Sequence, residues 1–290
     1  MMKEILKNKV AVITGSTRGL GRAIAQTYAR AGAKVVIASR SHQGVKLAVD
    51  SLRAEGYLGT GLACDVADIA QVEGLAEHAI QTFGHIDIWV NNAGLSAPYG
   101  PTAHIPAEHF MKVVNTNIVG TYNGSVIAMR HFLKRKSGKL INVLGRGDTG
   151  AIPLQNAYSS SKVWIRNFTK VLAKEYKDSG IEVIGFNPGL VRTEFLSSVQ
   201  AVQGYETKLN PLRYVVMLWG NEVDVPAQKA LWLASSATDG KTGLLVKMLT
   251  SGFMISRLIS VPLTRLWRNH NDLMELNITS VDSAISGDRF

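Results

Sequence analysis

The chain has 290 residues, a net charge of +10 and 46% hydrophobic residues. This is the composition of a globular chain, long enough for one α/β domain with a large core, and it excludes disordered and fibrous classes. The basic excess is scattered, with LysArgLys at 134–136 its densest run, so nucleic acid is not expected as a partner.

Cys64 is the sole cysteine. An intrachain disulfide is therefore impossible, and a reducing compartment, the cytoplasm, is expected. Cys64 lies in an apolar stretch and reads as a core residue. The opening MMKEILKNK is too polar for a signal peptide. No apolar run reaches the ~18 residues of a spanning helix.

In chain order, Val10–Ile13 is a short apolar run of the kind buried on both faces of a parallel sheet. Gly15, Gly19 and Gly21 then mark a tight turn with G-x-x-x-G-x-G spacing. Leu20, Ile24, Tyr28 and Ala31 recur at helical spacing, and Gly32 closes that helix. Strand, glycine turn and helix make half of a nucleotide-binding unit, in which backbone and helix N-terminus approach a pyrophosphate. Lys34–Ser39 predicts a second strand, His42–Glu55 a helix, Leu58–Cys64 a third strand, and Ile69–Phe83 a helix ending at Gly84. Ile86–Asn91 predicts a fourth strand. A Pro/Gly-rich loop leads to a mostly helical Ala107–Lys136, whose cationic end complements the helix dipole. Lys139–Leu144, a helix over Asn156–Asp178, and Ile181–Asn187 follow. Such alternation predicts a doubly wound parallel sheet, with helices on both faces.

Chemistry-bearing residues fall at the ends of these strands. Asp65 follows the third strand, where its carboxylate is placed to accept from an adenine amino group. The run NNAG at 91–94 follows the fourth strand, at the sheet edge where ligands bind. Tyr158 and Lys162 are one helical turn apart and share a face. A tyrosine is a poor acid or base at neutral pH, and a neighbouring ammonium is expected to lower its pKa. The phenol would then exchange a proton with a carbonyl or alcohol oxygen while hydride moves to or from a nicotinamide.

Six motifs together resemble the short-chain dehydrogenases/reductases over residues 8–250. They are TGSTRGLG at 14–21, Asp65-Val66, NNAG at 91–94, Asn117 before Ile-Val-Gly, Tyr158-Ser-Ser-Ser-Lys162, and PGLVRT at 188–193. The resemblance implies a Rossmann-like sheet of about seven strands, a nicotinamide cofactor and oligomers, a homodimer or homotetramer, through 107–136 and 156–178. It implies Tyr158 as acid/base, Lys162 as ribose holder and pKa tuner, and Asn117 as support for a proton-relay water. Cofactor contacts are implied for Gly15, Ser16, Arg18, Gly19, Leu20 and Gly21 in the turn. Further contacts are implied for Asp65 and Val66, for Asn92, Ala93 and Gly94 on the adenosine side, and for Pro188, Gly189, Val191 and Thr193 near the carboxamide.

The cofactor is expected to be NADP(H) rather than NAD(H). The second strand ends at Ser39, without the acid that binds a ribose 2′-OH, and Arg40 follows. Arg40 and Arg18 are placed to hold a 2′-phosphate.

Two features depart from the family pattern. The family usually carries a serine thirteen residues before the tyrosine, and here that position is Gly145. Losing one preorganised donor typically costs ~10²–10³ in rate. Thr149, a protonated Asp148 or Arg146 are the candidate replacements, and a serine restored at 145 is expected to raise the rate if none acts. The alternative is a cofactor-binding protein with weak or no turnover, a regulator or a tail-anchored membrane-surface protein. Residues 146–148 spell ArgGlyAsp, which in a glycine-rich loop reads as chance. The second departure is an extension, 251–290, beyond a domain of 1–250. Residues 253–268 mix arginines with apolar side chains, and Pro262 is expected to break any single helix. Docking on protein is favoured over peripheral membrane contact, and the polar 277–290 is expected to be mobile.

The segment 194–221 occupies the family's substrate-lid position and is rich in Phe, Leu, Tyr, Val, Met and Trp. It suits either a wall for a small, hydrophobic substrate or simple packing on the core. The histidines show no ligand spacing, so no metal site is expected.

Overall fold

The computed structural model describes residues 4–265 and 274–285. Alternating strands and helices run through β1 (Val10–Thr14), α1 (Gly19–Arg30), β2 (Lys34–Ser39), α2 (His42–Ala54), β3 (Gly59–Ala63) and α3 (Ile69–Phe83). β4 (Ile88–Asn91), α4 (Ala107–Val113), α5 (Gly120–Arg135), β5 (Gly138–Val143), α6 (Asn156–Glu175) and β6 (Ile181–Asn187) continue the pattern. The remainder comprises β7 (Leu190–Val191), α7 (Glu194–Ser197), β8 (Ser198–Val202), α8 (Leu212–Trp219), β9 (Gly220–Asn221), α9 (Asp224–Ala234), β10 (Leu245–Lys247), α10 (Ser251–Arg265) and β11 (Asn277–Val281).

Seven parallel strands form the central sheet in the order β10-β6-β5-β4-β1-β2-β3. The order reverses between β1 and β4, the switch point that opens a crevice at the strands' carboxyl ends. Strand residues alternate between two cores, as the two-residue period requires. Ala11 and Ile13 pack toward Ile24, Tyr28 and Leu231, whereas Val10 and Val12 pack toward Leu75, Phe132 and Leu172. Helix ends follow local chemistry. The Ser41 hydroxyl caps α2 by accepting from Gly44 N, Asp68 caps α3, and Gly84 ends α3 at φ +90°.

The region 107–136, expected to be mostly helical, runs as α4 and α5 joined by a π-turn over Val114–Val119, whose wider turn loosens the ladder. Two expectations are corrected. α10 runs through Pro262, because one missing donor removes one hydrogen bond while the ladder continues on either side. The stretch 277–281, expected to be mobile, is β11, paired in parallel with β8 from Asn277↔Ser198 to Val281↔Val202. Residues 266–273 and 286–290 of the extension lie outside the described residues.

The segment 194–221, expected to be the substrate lid, packs partly on itself. Val199, Ala201, Leu209, Leu212 and Val216 form a small third core, with Tyr99 and Ile278 against it. Phe195 and Tyr214 remain exposed.

Candidate active site

The glycine turn is built by close approach. Gly15 and Gly19 have φ of +63° and +54°. A Cβ on Gly15 would lie 2.8 Å from Ala93 Cα, and one on Gly21 would collide with Gly15 O and Asn92 Nδ2. Asn92 Nδ2 donates to Thr14 O and Gly15 O at 2.9 and 3.0 Å. Thr14 Oγ1 accepts from the amides of Asn92 and Ala93 at 3.1 Å each. Asn92 and Ala93 therefore brace the turn. Thr14, which the sequence did not single out, is the hub of this contact.

α1 begins with no side-chain cap and no acid in its first turn, so its leading amides stay available to an anion. This cradle, too tight for side chains, fits a dinucleotide pyrophosphate. Thr193 faces it, with Cγ2 3.5 Å from a Cβ built on Gly19. Gly189, at φ +74°, is fixed when its amide donates to Asn187 Oδ1. Pro188 and Val191 are buried beside it.

Other expected cofactor residues look inward. Ser16 is fully buried; its hydroxyl donates to Ile13 O at 2.6 Å and accepts from Ala38 N at 3.1 Å. Leu20 packs on the core. Val66 is buried, and its carbonyl accepts from Asn123 Nδ2 at 2.9 Å. Asp65 Oδ1 accepts from Ala67 N at 3.0 Å. Arg18 and Arg40 are both exposed. Arg18 also meets the Glu194 carboxylate of the lid at 3.3 Å, an exposed pair of small energetic weight.

Asn117 sits fully buried in the π-turn. Its amide donates to Leu95 O and Ser161 Oγ at 2.9 Å each, and its Oδ1 accepts from Leu95 N at 2.8 Å. A Cβ on Gly94 would stand 3.6 Å from Asn117 Oδ1 and 3.8 Å from Lys162 Nζ, so these three residues converge. Lys162 is buried, donates to Val143 O at 3.0 Å and lies 5.5 Å from the Tyr158 ring centre. Phe195 of the lid covers the same ring, with centroids 5.8 Å apart.

The surroundings of this pair act against the expected lowering of the tyrosine. Burial holds the Tyr158 phenol well above its ordinary value, Tyr99 and Asp148 add to the rise, and Arg146 opposes it. Burial also pulls Lys162 down to about 8, against the pull of Asp148. Removing the phenolate from water outweighs any help from the neighbouring amine.

The loop after β5 explains the missing serine. A Cβ on Gly145 would collide with the Tyr158 hydroxyl. The tyrosine has come up against the backbone where a serine would stand. Asp148, buried, meets Arg166 Nη1 at 3.0 Å and accepts from Asn187 Nδ2 at 2.9 Å. Both of its oxygens are engaged by these partners, so Asp148 is not free to stand in for the serine. Its burial also withdraws the ArgGlyAsp triplet from adhesion. The Asp148–Arg166–Asn187 cluster was not legible in the sequence, since its members lie on three separate elements.

Among the described residues, no group of three His, Cys, Asp or Glu could hold a metal ion, and no helix is long and apolar enough to cross a membrane.

A family model described as short chain dehydrogenase matches residues 9–204. The 3beta-hydroxysteroid dehydrogenase 1 of Eggerthella lenta is 35% identical over 248 residues, covering 83% of this chain and 92% of that protein. Among solved structures, 3-ketoacyl-(acyl-carrier-protein) reductase from Brucella melitensis complexed with NADH aligns with a TM-score of 0.75 at 28% identity, over 84% of this chain and 97% of that one. A gluconate 5-dehydrogenase from Burkholderia cenocepacia in complex with NADP and tartrate aligns with a TM-score of 0.76 at 28% identity, over 88% and 98%. With its parallel sheet, glycine cradle and matched family model, the chain belongs to the short-chain dehydrogenases/reductases and is an NAD(P)-dependent oxidoreductase.

Proposed function

We propose that this enzyme interconverts a carbonyl and an alcohol on a small substrate with a hydrophobic part, using NADP(H) in preference to NAD(H). The observation that carries the reading is the convergence of Tyr158, Lys162, Gly94 and Asn117 beside a glycine cradle that fits a dinucleotide. The cofactor, when bound, supplies or accepts the hydride. Tyr158 gives or takes the proton at the substrate oxygen. Its phenol, held protonated at neutral pH, is ready to donate, which is the direction of carbonyl reduction. Lys162 keeps an amine beneath the ring, and Asn117 fixes the Leu95 loop and Ser161 around it. Phe195 supports an apolar wall for the substrate.

Arg40, exposed after a strand that ends without an acid, supports the preference for a 2′-phosphate, with Arg18 beside the turn. Residues 1–250 are taken as the catalytic domain and 251–290 as an extension whose described residues dock on it. Trp219 Nε1 donates to Met254 O at 3.2 Å and Arg257 Nε to Leu218 O at 3.1 Å, which supports docking over membrane contact. Exposed Phe110, Met111, Tyr122, Val163 and Val171 on α4, α5 and α6 support a homodimer or homotetramer. A cytoplasmic setting accords with the single buried thiol, Cys64.

The test is Tyr158→Phe with cofactor affinities alongside. Turnover should disappear while NADPH binding changes little, since only the hydroxyl is removed. At one fixed ionic strength the parent should bind NADPH more tightly than NADH, and Arg40→Ala and Arg18→Ala should each narrow the gap. A Tyr158→Phe enzyme of full rate would overturn the assignment of the acid/base. Equal affinity for the two cofactors in the parent would overturn the preference.

A further inference from the structure

The segment that carries Phe195 is supported from outside the central sheet. α7 runs into β8 with no loop between, since Ser197 and Ser198 are adjacent. The placement of β8 therefore sets where Phe195 stands against the Tyr158 ring, 5.8 Å away between centroids. β8 is bonded along both edges. On one edge it meets the loop after β4 at a single bridge, Tyr99↔Ala201, where Tyr99 N donates to Gln200 O and Val202 N donates to Tyr99 O at 2.8 Å each. On the other edge β11 pairs along its whole length, from Asn277↔Ser198 to Val281↔Val202. A lone bridge holds a strand weakly, and even a two-stranded pair in water needs a packed face to persist. β11 supplies the longer ladder, and its Ile278 packs with Leu276 against the small core around Val199 and Ala201.

Beyond β11 the chain reaches the loop after β4. His104 O accepts from Ala284 N at 2.9 Å, and the His104 ring meets Ser283 Oγ at 3.0 Å. That loop starts at Gly94, close to Lys162 Nζ and Asn117 Oδ1. Residues 277–284 thus join the loop beside Lys162 to the segment that covers Tyr158.

We propose that β11 is a positioning element for the reaction: by completing the pairing of β8 it keeps Phe195 over Tyr158, so that the reacting end of the cofactor is shielded from water before substrate arrives. This rests on the oxidoreductase reading above. A covered site strengthens the polar interactions inside it, and a cover already in place asks no ordering cost of the substrate. The backbone of Thr279 carries this support. Gln203 N donates to Val281 O at 2.9 Å, and backbone groups return to the same side of a strand every second residue, so Thr279 N also faces β8. The Thr279 side chain is exposed. A proline there removes a ladder donor without touching a core side chain.

The experiment measures acrylamide quenching of the fluorescence of NADPH bound to the full chain, which reads how far a solute in water reaches the nicotinamide. NADPH affinity is measured beside it, and NADH serves instead if the parent prefers it. Thr279→Pro should raise the quenching constant severalfold with affinity little changed, and Thr279→Ala, which keeps the N–H, should match the parent. General destabilisation would weaken cofactor binding and would not expose the bound nicotinamide. Quenching in the parent as strong as for free NADPH, or parent-level quenching in a Thr279→Pro protein that binds NADPH normally, overturns the inference. If Thr279→Pro fails to fold or to bind cofactor, a cross-link decides. Gln200 and Thr279 are exposed partners across the two strands, and the sole natural cysteine, Cys64, is buried. Oxidising Gln200→Cys/Thr279→Cys should lower quenching below that of its reduced form; equal quenching in the two forms overturns the inference. Failure of the parent to bind NADPH and NADH alike would overturn the oxidoreductase reading instead.

Discussion

Gly145 sets how closely Tyr158 approaches the loop after β5, and a single carbon there is enough to disturb it. A Cβ at 145 collides with the Tyr158 hydroxyl, so Gly145→Ser should lower turnover, not raise it as the sequence alone suggests. A displaced catalytic group of about 1 Å costs roughly 10²-fold, and kcat for the best substrate, measured beside unchanged cofactor affinity, checks this. Lys162 gives a second expectation. Burial lowers its pKa from 10.5 to about 8. Between those values the unfolded chain holds a proton that the folded chain has released, so stability rises with pH across that window. The lysine side-chain NMR signals of the protein without cofactor should contain one titrating near 8, absent in Lys162→Met; a Lys162 signal that titrates with the bulk lysines would contradict this. The Tyr158/Lys162 pair was legible because one turn of helix puts both on one face. The elevated phenol was not, because burial is a property of what surrounds α6 and leaves no local pattern.

At the scale of elements, the strands β4 and β5 and the helices α5 and α6 are tied by a buried polar network. Trp89 Nε1 donates to Asn91 Oδ1 at 2.8 Å, Asn91 Nδ2 donates to Asn142 Oδ1 at 2.9 Å and Ser125 Oγ at 3.0 Å, and Asn142 Nδ2 donates to Thr169 Oγ1 at 3.0 Å. Both asparagines belong to runs that read plainly as apolar strands, and the network between them was not visible there. Asn142→Ala removes the buried Asn91–Asn142 and Asn142–Thr169 hydrogen bonds, leaving the Asn91 amide with Thr121 O and Ser125 Oγ and the Thr169 hydroxyl with Ile165 O, and should destabilise the fold by about 1–3 kcal/mol. A urea midpoint that falls with an unchanged slope would register this. The π-turn escaped sequence reading for another reason. A helix with one extra residue keeps apolar positions on roughly the same face, so 107–136 reads as continuous. The turn buries Asn117 completely, and Asn117 itself was found through the motif around it.

For the whole molecule, the order of strands and helices was legible from alternation alone, because a parallel sheet demands a crossover helix between neighbouring strands. The same rule governs the extension in retrospect. β8 and β11 are parallel, and α10 lies between them in the chain. The polar 277–281 gave no strand signal because it pairs on one edge only and buries little: Asn277, Thr279 and Ser280 stay exposed. Around that strand residues 280–284 are stitched to the segment 194–221 and to the loop after β4. Ser280 Oγ donates to Glu206 at 2.6 Å, Ala284 N donates to His104 O at 2.9 Å, and Gln203 N donates to Val281 O at 2.9 Å. The segment 194–221 and β11 are thus mechanically in series. A pull on β11 is therefore felt first by β8 and Glu206, and through them by the segment that carries Phe195 over the Tyr158 ring.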